Sequence, residues 1–259
     1  MIKLSSLALI ERLFLLRQQI RPSPPPLPNQ FTMADYGRFM REETFRYSRR
    51  YARSLIVMHG QEHLLKAASN SGVMVNFLHY GSWILAGGGI AHQLDLPYTV
   101  IASRRNMEVL QPEEQKFWEG VHQRGSQLYG HPLFYTDQSP RLSIKWLKTA
   151  GNILGVVLDV REHSQKYEEY PFQFLGHTLF MQCGPARLAC LADVPMVPVT
   201  IQYQPKEQRH HLFFDAPIFP SSNPQDMTQK ALQTIEKYVI NNPEQQFCNI
   251  VAEYSQRAT

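Results

Sequence analysis

The sequence predicts an α/β fold: one domain built on a central, mostly parallel β-sheet flanked by helices. Two observations carry this. Short apolar runs recur at residues 73–78, 98–102, 153–158 and 196–203, and between them lie stretches of helical character near 82–94, 112–124, 141–149 and 184–192. Strands that alternate with helices need crossover connections, and crossovers give parallel strands with helices on the sheet faces. The second observation is size and composition: 259 residues, 43% hydrophobic and 19% charged, suit one sheet-centred core.

Taken in order, the chain opens with MIKLSSLALIERLFLLRQQI, which Glu11 and Arg12 interrupt well short of the roughly 20 apolar residues of a spanning helix. The expectation is an amphipathic helix with Leu9, Leu13, Leu16 and Ile20 on one stripe, placed at a membrane interface or packed on the domain. No cleavage site of small residues follows, so a secretory signal is not expected. RPSPPPLP, residues 21–28, is an extended tether, because each proline fixes φ and removes a donor. Residues 1–28 therefore form an appendage, and 29–259 the domain.

Residues 33–57 lack proline and read as one long helix, with Arg38, Arg41, Arg46, Arg49, Arg50 and Arg53 along one side. Such a stripe is either a solvated face or a contact for an anionic surface. A shorter helix follows over 61–69, after Gly60. VMVNFL, bounded by Gly72 and His79, reads as a buried strand. HHLFF, 210–214, adds an antiparallel strand, and the stretches from Gln225 to Ile240 and after Pro243 read as two closing helices.

Lys and Arg exceed Asp and Glu by only 26 to 22, and no aromatic-basic interleaving points to nucleic acid. Cys183, Cys190 and Cys248 contain no CxxC pair, and no HExxH or grouped Cys/His pattern calls for a metal. A reducing cytoplasm is the expected setting, and no cofactor is expected.

In open α/β sheets, ligands collect beyond the carboxyl ends of the strands. His79 follows the strand at 73–78, and Asp159 ends the run ILGVVL at 153–158. On local grounds alone, a histidine after a strand is more often structural, and an aspartate there more often caps a helix.

The order of motifs changes that balance. Gly60 and Glu62 precede VMVNFLHYGSW; SRRN (103–106), HQRG (122–125), GNILGVVLD (151–159), FQFLG (172–176), GPARLA (184–189) and VPMVPV (194–199) follow. From about Gly60 to Gln245 the chain resembles the bacterial late acyltransferases of lipid A biosynthesis, the lauroyl and myristoyl transferases, within the wider lysophospholipid acyltransferase group. The resemblance implies a glycerol-3-phosphate acyltransferase-like fold, an acyl thioester donor on acyl carrier protein or CoA, and a lipid or small-molecule acceptor. It also implies peripheral contact with the inner face of the cell membrane and His79 as general base. An alcohol is a poor nucleophile until its proton is taken as the C–O bond forms, and a neutral imidazole suits that task near pH 7. Gly81, Ser82, Trp83, Arg104, Arg105, Asn106, Arg124 and Gly184 fall in the matching motifs as substrate-binding candidates. Backbone N–H groups near Gly81 and Ser82, or Arg104, are candidates for the oxyanion, and Arg124 for a phosphate.

The chain departs from the family in two places. The carboxylate that the family sets five residues after its histidine is here Ile84, and NPEQ, 242–245, runs into QFCNIVAEY instead of an arginine-rich ending. Three readings follow: Asp159 or Glu162 replaces the carboxylate; the acceptor is an amine, which needs a weaker base; or the protein binds acyl chains or acyl carrier protein without turnover.

Overall fold

The computed structural model describes residue 27 and residues 30–138, 140–160 and 168–256. The expected N-terminal helix, most of the proline-rich tether and Glu162 lie outside the described residues.

The chain enters helix α1 (Met33–Thr44) through Thr32, whose hydroxyl accepts from the Asp35 N–H while the Asp35 carboxylate accepts from the Thr32 N–H. This reciprocal cap satisfies two donors that a helix start leaves open. The single helix expected over 33–57 does not form. The chain breaks at residues 45–48, restarts as α2 (Arg49–Leu55), and Ile56–His59 is a strand, β1. The Ser48 hydroxyl accepts from the Tyr51 N–H, a local cap that starts a new helix where a longer one was expected. Ile56 and Val57 are β-branched and pair with a strand some 150 residues on, which no local periodicity reveals. The arginines accordingly do not make one stripe. Arg38 pairs with Asp35, Arg41 with Glu114, and Arg53 donates from Nε to the His92 carbonyl.

After α3 (Gln61–Ala68) come β2 (Val73–Phe77), α4 (Trp83–Gln93), β3 (Tyr98–Ala102), α5 (Arg104–Glu108), α6 (Pro112–Tyr129), β4 (Phe134–Tyr135), α7 (Pro140–Leu147) and β5 (Ile153–Val157). The hairpin β6 (Glu169–Phe174) and β7 (His177–Gln182), then α8 (Gly184–Ala192), β8 (Met196–Gln204), β9 (Arg209–Phe214) and α9 (Pro224–Asn241) follow. In place of a single helix after Pro243 there is a 3-10 turn, Pro243–Gln245, and a short α10 (Ile250–Tyr254). FQFLG lies in the hairpin, whose turn residues Leu175 and Gly176 both have positive φ, at 52° and 75°, as a tight β-turn between twisted strands requires. No described helix is long and apolar enough to cross a membrane.

Seven strands form one sheet in the order β1-β9-β8-β2-β5-β3-β4. All neighbours are parallel except β8 and β9, so the antiparallel strand expected at 210–214 is present. Side chains alternate between two buried layers. Val73, Val75 and Phe77 face one, with Val197, Val199, Ile201 and the residues of α4; Met74 and Leu78 face the other, with Leu154, Met196 and the apolar side of α9. A strand buried on both faces is why these segments read as unbroken apolar runs.

Between β2 and α4 the backbone turns at Gly81, with φ at 61°. A Cβ there would lie 1.7 Å from the Ile201 carbonyl oxygen, so this turn can pass β8 only as glycine.

Candidate active site

Strand register brings the two strand-end residues together. β2 and β5 are parallel neighbours with Phe77 opposite Val157, and the Leu158 N–H continues the ladder to the Phe77 carbonyl at 2.8 Å. Two residues further on each strand, His79 and Asp159 therefore emerge side by side. The Asp159 carboxylate accepts the His79 backbone N–H at 2.9 and 3.0 Å and stands 3.2 Å from His79 Nδ1. A carboxylate 3.2 Å from Nδ1 favours the tautomer in which that nitrogen carries the proton and Nε2 is the acceptor. The Asp159 side chain is 2% exposed and that of His79 21%. Burial alone would depress the imidazole pKa; the Asp159 charge and hydrogen bond, with the Glu253 charge, outweigh it and raise His79 above 6.5.

Ile84, where the resemblance implies a carboxylate, is buried, and its carbonyl accepts the Tyr129 hydroxyl at 3.0 Å. The carboxylate that stands beside the imidazole is that of Asp159, from the neighbouring strand.

A cavity of about 610 Å³ opens from this pair and runs beneath β3 and β5 against α4 and α6. Its wall is mainly apolar, including Phe77, Ile84, Val100, Val156 and Trp118. Trp83 meets the imidazole edge-on at 4.8 Å, and Phe247 packs edge to face on both Trp83 and Trp118, whose own rings are tilted by 30° to each other. Arg41 packs beside Phe247, its guanidinium 5.5 Å from that ring and 4.4 Å from the Phe117 ring, with two hydrogen bonds to Glu114 at 2.8 and 3.0 Å.

The other sequence candidates distribute unevenly. Trp83 and Asn106 line the cavity with His79 and Asp159. Gly81, Ser82, Arg104, Arg124 and Gly184 are not in its wall. The Gly81 N–H already donates to the Gln245 carbonyl at 2.9 Å, which withdraws it from any oxyanion. The Ser82 hydroxyl is fully buried and donates to Glu43 at 3.3 Å. Arg104 pairs with Asp137 at 3.1 Å, lies over the Tyr135 ring and lines a second cavity of about 480 Å³ that shares Met107, His122 and Leu133 with the first. Arg124 is half-buried on α6, where burial lowers its pKa. Gly184 is exposed at the start of α8, and the Arg105 side chain lies outside the described residues.

Sequence reasoning missed the segment that closes the site. Phe247 donates its N–H to the His79 carbonyl at 2.8 Å, and the Tyr254 hydroxyl donates to the Asp159 carbonyl at 2.7 Å. Cys248, Glu253 and Tyr254 line the cavity. Gln245 anchors the segment, its side-chain amide exchanging hydrogen bonds with both backbone groups of Tyr203 at 2.8 and 2.9 Å. The signal was NPEQ itself, whose glutamine occupies that anchoring position.

Residues 30–248 match the family model described as bacterial lipid A biosynthesis acyltransferase. No curated protein matches the chain.

Proposed function

The chain belongs to the bacterial lipid A biosynthesis acyltransferase family, and on that premise we propose that it moves a fatty acyl group from a thioester donor to a hydroxyl or amine, with His79 as general base. The observation that carries this reading is the buried Asp159 carboxylate on His79 Nδ1 at the mouth of an apolar cavity. The acyl chain lies in the cavity with its thioester carbonyl beside the imidazole. As the acceptor oxygen or nitrogen attacks that carbon, its proton passes to His79 Nε2. The tetrahedral intermediate then expels the thiolate, which takes the proton back from the imidazolium, leaving an ester or amide and a neutral imidazole. Asp159 orients the ring and stabilises its transient charge.

The donor is acyl carrier protein or CoA thioester, and the acceptor a lipid or small molecule met at a membrane surface. The test is release of free thiol from acyl thioesters by the purified protein, with alcohols and amines as acceptors and mass analysis of the product. Thiol release with a matching acylated product supports the reading; no thioester loss with any acceptor overturns it and leaves a protein that binds acyl chains without turnover.

A pH dependence follows from the same contact. Because the base must be neutral, kcat/KM is expected to rise with pH through an apparent pKa above 6.5, the raised value of His79. Asp159→Asn removes the charge that raises it, so the acid limb should move to lower pH. An unmoved limb would place the titrating base elsewhere.

A further inference from the structure

The charge around His79 is one-sided. Among the described residues that line its cavity there is no lysine or arginine, and the carboxylates there are those of Asp159 and Glu253. Arg104 and Arg124, the sequence candidates for holding an anion, stand outside that wall. Arg41, beside Phe247, is paired with Glu114, and Arg104 with Asp137. His122 adds no positive charge to the wall, because burial and the nearby Arg104 lower its pKa to about 4.

The two carboxylates are placed differently. Asp159 is buried and occupied with the backbone N–H and ring of His79. Glu253 is exposed, lines the cavity from α10, and takes no part in the step described above. Its neighbour Tyr254 ties α10 to the Asp159 carbonyl at 2.7 Å. Its charge is one of those that raise the His79 pKa against the effect of burial, so the carboxylate stands near the imidazole. Burial, with the charges of Asp159 and Glu253 and a hydrogen bond to Glu253, pushes the Cys248 thiol up. A thiol is a weak donor and a carboxylate offers about four acceptor positions, so Glu253 keeps capacity for a stronger donor. Trp83, Trp118 and Phe247 share the wall, and aromatic faces attract cations, not anions. A phosphate brought here meets two carboxylates and no paired cation; an ammonium group meets favourable charge on every side.

We propose that the acceptor is a primary amine carried as its ammonium ion, not a phosphorylated alcohol, and that Glu253 holds this ammonium beside His79. It rests on the acyl transfer proposed above and decides between that step's two acceptor classes. The ammonium first gives one proton to solvent, and the nitrogen lone pair then attacks the thioester carbon. A second proton passes from nitrogen to His79 Nε2, the C–S bond breaks with its electron pair on sulfur, and the sulfur takes that proton. Ammonium and thioester thus become amide, thiol and one solvent proton. Glu253 recognises the charge before the attack and is a positioning residue for the acceptor.

The experiment gives the full chain one acyl thioester and three acceptors on a common carbon skeleton: an alkylamine, the matching alcohol and a hydroxyalkyl phosphate. Thiol release yields KM and kcat separately. Amines are intrinsically better nucleophiles, so the preference is read in KM and in inhibition by an alkyltrimethylammonium, which carries the charge and cannot be acylated. The amine is expected to have a KM lower than the alcohol's by roughly tenfold or more, the effect of a hydrogen bond to a charged group. The trimethylammonium compound should inhibit more strongly than its uncharged tert-butyl counterpart by a similar factor. Glu253→Gln should bring the KM values for amine and alcohol within about twofold, and Glu253→Asp, which keeps the charge, should retain part of the difference. Any change in the His79 pKa affects both acceptors and cancels in this ratio. A lower KM for the alcohol or the phosphate, or an amine preference that survives Glu253→Gln, overturns the inference and leaves the acyl-transfer reading standing. If no acceptor yields thiol, acyl transfer itself falls and the amine assignment with it.

Discussion

Replacing His79 with alanine is expected to lower the rate of acyl transfer by roughly 10²–10⁴-fold, the usual contribution of a positioned general base. The effect should appear in kcat, because the imidazole works on a proton that moves only as the thioester is attacked. The fold should survive: the Asp159 contact to the backbone N–H of residue 79 and the Phe247 contact to its carbonyl do not need the ring. Thiol release read beside circular dichroism and thermal unfolding separates the two effects. A folded His79→Ala protein that turns over like the parent would remove His79 from the mechanism. Asp159→Asn should fall in the same direction, since a carboxamide can present its N–H to Nδ1 and favour the wrong tautomer.

The largest expected effect on stability is at Glu43, which is 1% exposed. Its carboxylate accepts from His210 Nε2 at 3.0 Å, from the Tyr47 hydroxyl at 3.0 Å, from the Ser82 hydroxyl at 3.3 Å and from the Tyr51 hydroxyl. Burial pushes its pKa up, but the His210 charge and these hydrogen bonds together bring it below the ordinary value, so it is held as the carboxylate. Glu43→Ala strands a buried histidine and three hydroxyls, a loss of about 3–5 kcal/mol by the precedent of broken buried pairs. For a domain of this size that corresponds to a Tm lower by roughly 6–20 °C. Glu43→Gln, which keeps acceptor and volume, should lose markedly less; a Glu43→Ala protein melting within a degree or two of the parent would show that these bonds contribute little. The linkage has a definite sign. With its pKa depressed in the folded state, Glu43 contributes stability at neutral pH that is lost as pH falls through the folded pKa.

Much of the site was legible in the sequence because strand exits are local features. VMVNFL ending at His79 and ILGVVL ending at Asp159 are unbroken apolar runs, and such runs mark strands covered on both faces. Their pairing was less accessible. That β2 and β5 are neighbours in register, and so present His79 and Asp159 to each other, depends on strand order across the sheet. The same physics hid β1: Ile56–His59 becomes a strand by pairing with β9, and its local pattern continued a helix.

The contacts of the segment from Gln245 to Tyr254 couple two distant parts of the chain mechanically. His79 and Asp159 are 80 residues apart, yet the carbonyl of each is held by a donor from this one stretch. Anything that lifts it, a protease nick after Asn242 or a bulky fusion crowding α10, would release both residues together. Damage here should therefore silence the protein in one event, while the sheet beneath keeps its cooperative unfolding.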